Sequence, residues 1–267
     1  GGQTITGNYF FQNVGSGVDS YRSDGGNVIR NNTFDGNGGG ATEPSQIRLY
    51  GTGSTVQWNV IQNGARAGVQ IVRDNGDTNT PATRNRITQN SFSANAGNAI
   101  DLVGAAGDNG LGDGISLNDG STPAAAGNLG LDYPGITSAI VSGAITLISG
   151  TAPAGVTTVE VYRAAVGAGD TNLGVNYGEG LVYLGAATVV GGNWSITATG
   201  LNTTHVVSAI GFDANGNTSE FGVNTPVTAA PNILVSGTLY EDVDGDADVA
   251  GGCTQRLAGV THYLYAD

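Results

Sequence analysis

The chain contains no methionine, no lysine, one cysteine and two histidines among 267 residues. With a single thiol, Cys253, no disulfide can close inside the chain. His205 has no second histidine or cysteine nearby and reads as a strand residue. All nine basic residues are arginine, set against 22 acidic ones, and the net charge of −13 makes nucleic acid and anionic membrane poor partners. No apolar run approaches the ~20 residues that cross a bilayer, and no signal peptide is present. Residue 1 is not an initiator methionine, so the chain reads as a processed protein or as a piece of a longer one. Glycine, by contrast, is abundant, with 46 residues spread among Asp and Asn along the whole length. Such punctuation favours several small all-β units over one large core, and the composition agrees with an exported protein.

One phrase recurs four times in the first hundred residues: an aliphatic, two residues, Asn, one residue, a large apolar residue. The copies are Ile5-Asn8-Phe10, Ile29-Asn32-Phe34, Val56-Asn59-Ile61 and Ile87-Asn90-Phe92, with starts 24, 27 and 31 residues apart. Three copies add another Asn three residues on (Asn13, Asn37, Asn95), and the third has Asn63 instead. A period in this range is the signature of a solenoid, in which each repeat buries its apolar side only against its neighbours. Each repeat continues through a short loop into a second strand: Val18-Asp19-Ser20-Tyr21, Ile47-Arg48-Leu49-Tyr50, Val69-Gln70-Ile71-Val72 and Ile100-Asp101-Leu102-Val103. Alternation along a strand predicts Val18, Ile47, Val69 and Ile100 on the inner face, with Asp19, Arg48, Gln70 and Asp101 stacked on the outer face, ~4.8 Å per coil. Ile5, Phe10, Ile29, Phe34, Ile47, Leu49, Val69, Ile71, Ile87, Phe92, Ile100 and Leu102 are expected to point inward and to be nearly fully buried. Gly- and Asn-rich corners joining two or three strands per coil describe a right-handed parallel β-helix. An Asn at a fixed corner tolerates the left-handed conformation and bonds its neighbours along the stack, which is a structural role.

The runs Asn27-Val-Ile-Arg-Asn-Asn-Thr-Phe and Asn85-Arg-Ile-Thr-Gln-Asn-Ser-Phe, with Gly97-Asn-Ala-Ile-Asp-Leu, resemble the right-handed β-helix repeats of bacterial secreted and surface proteins, shared by the pectate-lyase-like superfamily. The resemblance covers roughly residues 1–130 and implies the fold; a fold does not carry its chemistry with it. After Val103 a Gly/Asp/Asn stretch, 107–122, places Asp108, Asp113 and Asp119 near Asn109 and Asn118. Such an oxygen-rich loop could hold Ca²⁺; the alternative is the closing coil of the solenoid with ordinary turn residues.

From about Tyr133 the strands lengthen: 158–163, 181–185, 194–198 and 205–212 alternate as in a β-sandwich, and Asp213-Ala-Asn-Gly-Asn supplies a turn. Gly185-Ala-Ala-Thr-Val, Trp194 and the run Phe212 to Phe221, ending Asn-Thr-Ser-Glu-Phe, resemble the immunoglobulin-like module that often follows such β-helices. The module has no Cys pair and relies on its apolar core, to which Trp194 is assigned. The last stretch, Val235-Ser-Gly-Thr-Leu-Tyr-Glu-Asp-Val-Asp-Gly-Asp-Ala-Asp with Leu257-Ala-Gly-Val-Thr-His-Tyr-Leu-Tyr, resembles the opening of the B-type repeat of Gram-positive surface adhesins. That resemblance implies a transthyretin-like sandwich with an acidic calcium loop. Asp242, Asp244, Asp246 and Asp248 alternate as in the first half of an EF-hand loop, although the later Gly and the bidentate Glu are missing. Four carboxylates in seven residues repel one another without a cation, so Ca²⁺ is expected there.

The expected architecture is therefore all-β: a parallel β-helix over 1–132, an immunoglobulin-like sandwich over 133–229 and a partial adhesin B-type, transthyretin-like module over 230–267. Two functions fit. The first is a non-catalytic, extracellular structural or adhesive segment of a cell-surface protein. Its partners would be neighbouring modules, surface glycans or copies of itself in a head-to-tail filament. The alternative is a fragment of a carbohydrate-active β-helix enzyme, a polysaccharide lyase or glycoside hydrolase, with Asp19, Arg48 and Asp101 on the outer ladder and Arg22, Asp24, Arg73 and Asp74 at corners. If Asp242, Asp244, Asp246 and Asp248 ligate an ion, chelation is expected to loosen residues 236–265 and leave the β-helix intact. Limited proteolysis with and without chelator reads this, and unchanged sensitivity would refute the ligand set.

Overall fold

The computed structural model describes residues 1–20, 25–40, 45–72, 82–104, 112–124, 126–165 and 170–231. Gly1–Ala230 forms one compact unit; the second unit, Pro231–Asp267, lies beyond its first residue outside the described residues. The first hundred residues wind into a parallel β-solenoid of twelve three-residue strands, β1 (Thr4–Thr6), β2 (Tyr9–Phe11), β3 (Val18–Ser20), β4 (Val28–Arg30), β5 (Thr33–Asp35), β6 (Ile47–Leu49), β7 (Thr55–Gln57), β8 (Val60–Gln62), β9 (Val69–Ile71), β10 (Arg86–Thr88), β11 (Ser91–Ser93) and β12 (Ile100–Leu102). They form three parallel sheets, β1-β4-β7-β10, β2-β5-β8-β11 and β3-β6-β9-β12, each drawing one strand from each coil. The register stacks like on like: Ile5 on Ile29, Ile29 on Val56 and Val56 on Ile87 in the first sheet, Phe10 on Phe34 in the second. Ten of the twelve residues expected inside are buried to within 1 % of full; Ile5 and Phe10, in the first coil, are only partly covered. A first coil has a neighbour on one side only, so its inward residues lose half their cover.

Three corners carry ladders of buried amides. At the first, Gln3 N donates to Asn27 Oδ1, Asn27 N to Ser54 Oγ, and Ser54 N to Asn85 Oδ1. At the second, the backbone N–H groups of Asn8, Asn32 and Asn59 each donate to the Oδ1 of the next Asn along, 32, 59 and 90, all at 2.9 Å. The Nδ2 of each receiving Asn bonds carbonyls in turn; that of Asn59 reaches Ile29 O, Gln57 O and Asn90 Oδ1. Within the four coils the laddered asparagines do not themselves take the left-handed conformation. That role falls to the residue before each: Gly7, Asn31, Trp58 and Gln89 at the second corner all have positive φ. The turn is made one residue early so that the Asn can point its amide inward along the stack.

At the third corner the ladder runs Asn13 to Asn37 and, in the last coil, through Asn95. Asn63 is not its third-coil member. It holds the left-handed slot (φ 55°), and its side chain reaches outward to Asp35 Oδ1 at 2.8 Å. The ladder position is Gly64, and the space left by its absent side chain is filled by Gln46. The Gln46 Oε1 accepts from Asn37 N and Nδ2, and its Nε2 donates to Phe34 O and Gln62 O.

A 3-10 turn, Gly127–Gly130, leads into β13 (Gly135–Ser142), β14 (Ile145–Thr151), β15 (Val156–Ala164), β16 (Thr171–Asn172), β17 (Val175–Asn176), β18 (Gly180–Thr188), β19 (Asn193–Thr199), β20 (Val206–Asp213), β21 (Thr225–Pro226) and β22 (Thr228–Ala229). Eight of these form two mainly antiparallel sheets, β19-β14-β13-β22 and β18-β15-β20-β21, over a shared core that includes Ala139, Ile148, Val159, Val161 and Val207, and β16 pairs with β17 in a two-stranded hairpin. Trp194 belongs to that core, its Nε1 donating to Thr151 O at 3.1 Å. The ring passes so close to Gly150 that a Cβ there would collide with it. The turn after β20 is locked by Asp213, whose Oδ1 accepts from Asn215 N and Asn217 N. His205 precedes β20, and its Nδ1 accepts from Asn202 N.

Replacing Asn59 by Ala would strip five hydrogen bonds from a buried corner and strand the Asn32 N–H; a loss of about 3–5 kcal/mol is expected. Asn8→Ala, at the exposed first coil, should cost about 1 kcal/mol or less. Urea denaturation of the two variants checks the contrast.

Candidate functional site

Chemistry-bearing side chains gather in two places, the open end of the last coil and the outer face of the third sheet. At the coil end, β10, β11 and β12 have no further coil to receive their backbone donors, and side chains from the following sheets take them. Glu179 Oε1 accepts from Asn95 N at 3.0 Å and Asn95 Nδ2 at 2.6 Å, in the place the next ladder Asn would hold. Asn128 continues the first ladder by accepting from Asn85 N. Asn217 accepts from Arg84 N, Thr218 Oγ1 from Ile87 N, and Glu220 Oε1 from Leu102 N. Glu160 accepts from Thr88 Oγ1 at Oε1 and from Gln89 N at Oε2, and the Tyr162 hydroxyl donates to that same Oε2 at 2.6 Å. Apolar contact completes the joint: Tyr162, Ile210, Phe212 and Phe221 share one core with the solenoid, Phe221 packs edge-on to Phe92, and the Arg86 guanidinium lies 4.2 Å from the Phe212 ring centre.

The run Asn217-Thr-Ser-Glu-Phe221, matched in sequence to the end of a sandwich module, thus serves the solenoid. Asn217, Thr218 and Glu220 supply acceptors to the last coil, and Phe221 seals the core. Glu160, Glu179 and Glu220 are all buried. Burial raises Glu179 above the usual carboxylate range against the pull of the Asn95 donors. Glu220 rises further, through burial first and then the charge of Asp101.

On the third sheet, Asp19, Arg48, Gln70 and Asp101 stand in register as expected. The ladder is not an open surface, however: Arg48, Gln70 and Asp101 are 6, 0 and 3 % exposed. Gly112 lies so close over it that a Cβ there would collide with Asp101 Oδ2 and Gln70 Nε2. Gln70 Nε2 donates to Asp101 Oδ2 at 3.3 Å, and the Asp113 carboxyl hydrogen-bonds that of Asp101. Asp113 also accepts from Gly104 N at 2.8 Å, and Ser116 N donates to Glu220 Oε2, which fastens the 112–116 segment across the ladder. Burial, then the charge of Asp113, pushes the Asp101 carboxyl up to about 8. A cleft of about 160 Å³ opens beside it, lined by Arg66, Asn98, Asp101, Gly112 and Gly114 among others.

Of the residues weighed in the sequence for the 107–122 loop, Asp113 joins Asp101, whereas Asp119 caps its own turn at Ser121 N and Asn118 bonds Tyr133. Asp108 and Asn109 lie outside the described residues, as do Arg22, Asp24, Arg73, Asp74 and the acidic loop Asp242, Asp244, Asp246 and Asp248. Among the described residues no three His, Cys, Asp or Glu converge as a metal-holding group, and no helix is long and apolar enough to cross a membrane. The functional partner that the sequence did not reveal is Glu179, a lone acid in a Gly-rich loop with no local pattern to mark it.

Asp101 carries a raised folded value, so the folded state binds the extra proton. Its contribution to stability is full below about pH 4, the unfolded value, and is lost as pH rises through about 8. Melting temperature should therefore rise on acidifying from about pH 9 to about pH 6, and Asp101→Asn should flatten that slope. At the coil end, Glu179→Gln keeps the acceptor and should cost under about 1 kcal/mol, whereas Glu179→Ala orphans two donors and should cost about 2–4 kcal/mol.

Compared with known proteins, no family model matches the chain and no curated protein is similar to it.

Proposed function

We propose that this chain is a non-catalytic structural or adhesive segment of an extracellular, modular bacterial surface protein. On this reading the solenoid is of the right-handed, pectate-lyase-like kind. Residues 133–229 are an immunoglobulin-like module, and 230–267 open a transthyretin-like adhesin B-type repeat that takes Ca²⁺ at Asp242, Asp244, Asp246 and Asp248. Its partners are neighbouring modules, surface glycans and copies of itself.

The observation that carries the reading is what the carboxylates do. Glu160, Glu179 and Glu220 accept hydrogen bonds from the last coil, all from buried positions. Their free energy goes into closing a solenoid end, and a group so committed is not available to attack or protonate a substrate. The ladder acid Asp101 lies beneath the 112–116 segment in hydrogen-bond contact with Asp113. Two carboxyl groups that close leave no room between them for a glycosidic bond, which in retaining glycosidases needs ≈ 5–5.5 Å. An adhesive role draws support from the outer face of the second sheet. There Tyr9 and Phe11 are about half exposed or more, and Asp35 beside them accepts from the Tyr9 hydroxyl and Asn63; Trp58, about half exposed, stands at the corner that leads into the same sheet. Exposed aromatic rings beside amide and carboxyl groups suit the apolar face and hydroxyls of a sugar.

The test is a polysaccharide panel incubated with the full chain in the presence of calcium. No product release is expected, with retention of chain on those glycans that bind Tyr9 and Trp58. Release of new sugar ends that disappears in Asp101→Asn would overturn the reading in favour of the lyase or hydrolase alternative.

A further inference from the structure

We propose, resting on the adhesive reading above, that a stripe of exposed aromatic rings from Tyr9 and Phe11 through Trp58 to Tyr183 binds one extended chain of a neutral polysaccharide along the solenoid axis. Tyr9 and Phe11 are 61 and 49 % exposed, Trp58 is 48 % and Tyr183 37 % exposed. Exposed apolar groups are common on any protein surface. These differ in that three of them are pinned while their faces stay open.

The Tyr9 hydroxyl donates to Asp35 Oδ2 at 3.1 Å, and its ring stacks on that of Phe11, with centroids 5.4 Å apart and planes 15° apart. Trp58 Nε1 donates to Gln89 Oε1, one coil further on, at 2.9 Å. Gln89 N in turn donates to the Tyr162 hydroxyl, and Tyr183 packs edge-on against the Tyr162 ring. Trp58, Gln89 and the tyrosine pair therefore form one connected line from the solenoid to β18. Rings fixed in this way lose little freedom when a ligand arrives, which favours affinity.

The spacing selects the ligand. Tyr9 and Phe11 stand on the first coil and Trp58 on the third; Tyr183 lies past the fourth, where Ser91 Oγ donates to Leu181 O. Four steps of ~4.8 Å make a run of roughly 19 Å. Between the rings, the second coil presents Thr33 and Asp35. Asn63 donates to Asp35 Oδ1 at 2.8 Å and holds that carboxyl below its usual range, so it is an ionised acceptor at neutral pH. A protein partner docks on a contiguous apolar patch, which this carboxylate interrupts. A sugar chain instead alternates flat apolar faces, which stack on aromatic rings, with hydroxyls that donate to a carboxylate. Asp35 is the one charged side chain on the strands of the second sheet, so an acidic polysaccharide is repelled there and a neutral one is not.

Isothermal titration of the full chain tests this with neutral oligomers of glucose, mannose and xylose, each as the dimer and the hexamer, and with polygalacturonate as the acidic polymer. A neutral hexamer is expected to bind at least about tenfold more tightly than its dimer, because only the longer chain reaches two sets of rings. Trp58→Asn and Tyr9→Thr put at each position the residue that the second coil carries there, Asn31 and Thr33, and so preserve the fold. Each should weaken the hexamer about tenfold while thermal unfolding stays unchanged. The proposal is overturned if no neutral hexamer binds, if hexamer and dimer bind alike, if both variants keep full affinity, or if polygalacturonate binds more tightly. Self-association in light scattering that Tyr9→Thr abolishes would assign the stripe to a protein partner and overturn it too. All of these leave the non-catalytic reading standing on the coil-end carboxylates; that reading falls instead if new sugar ends appear during the titration.

Discussion

The structure depends on one constraint: a stack of three-residue strands must satisfy every buried backbone donor at its corners. A coil turns three times, and at each corner the backbone leaves its sheet and its N–H groups lose their ladder partners. Side-chain amides replace them. The Asn carboxamide alone among short side chains offers an acceptor to the coil before and two donors to carbonyls around it, which is why Asn32, Asn59 and Asn90 each hold contacts on two levels. Where the amide is missing the requirement persists, and Gln46 reaches across from the preceding coil to fill the place beside Gly64.

The same constraint explains the joint with the following sheets. A ladder of this direction ends in unfilled donors, so the element that follows must present acceptors at the spacing of the corners. Glu179, Asn128, Asn217, Thr218 and Glu220 do so from three different segments of chain. Carboxylates suit the task because each offers two acceptor oxygens and a hydrogen bond to a charged group is stronger than a neutral one. The cost is desolvation, visible in the raised Glu179 and Glu220. Acidity that in another setting would signal catalysis is here spent on holding one module to the end of another.

The third sheet shows how a feature can be right in register and wrong in setting. Asp19, Arg48, Gln70 and Asp101 do align. The cover over Gln70 and Asp101 comes from a segment eleven residues further on, held by Asp113 and by Glu220 from more than a hundred residues away. No local reading of the strands could reveal that cover.

The sequence by itself determined the solenoid, its strand positions and its inward residues, because those follow from a repeated apolar phrase that only neighbouring coils can bury. It also gave the laddered asparagines, though not the left-handed residue before each, since Gly, Asn, Trp and Gln all occupy that slot. Tertiary structure alone decided the rest. Gln46 took the place of an absent Asn, Asn217 to Phe221 became a cap, Glu179 became an acceptor, and Asp113 met Asp101. Each of these joins residues distant along the chain through an unfilled donor or a like charge. Such a demand arises only once the coils are stacked, so no periodicity in the sequence records it.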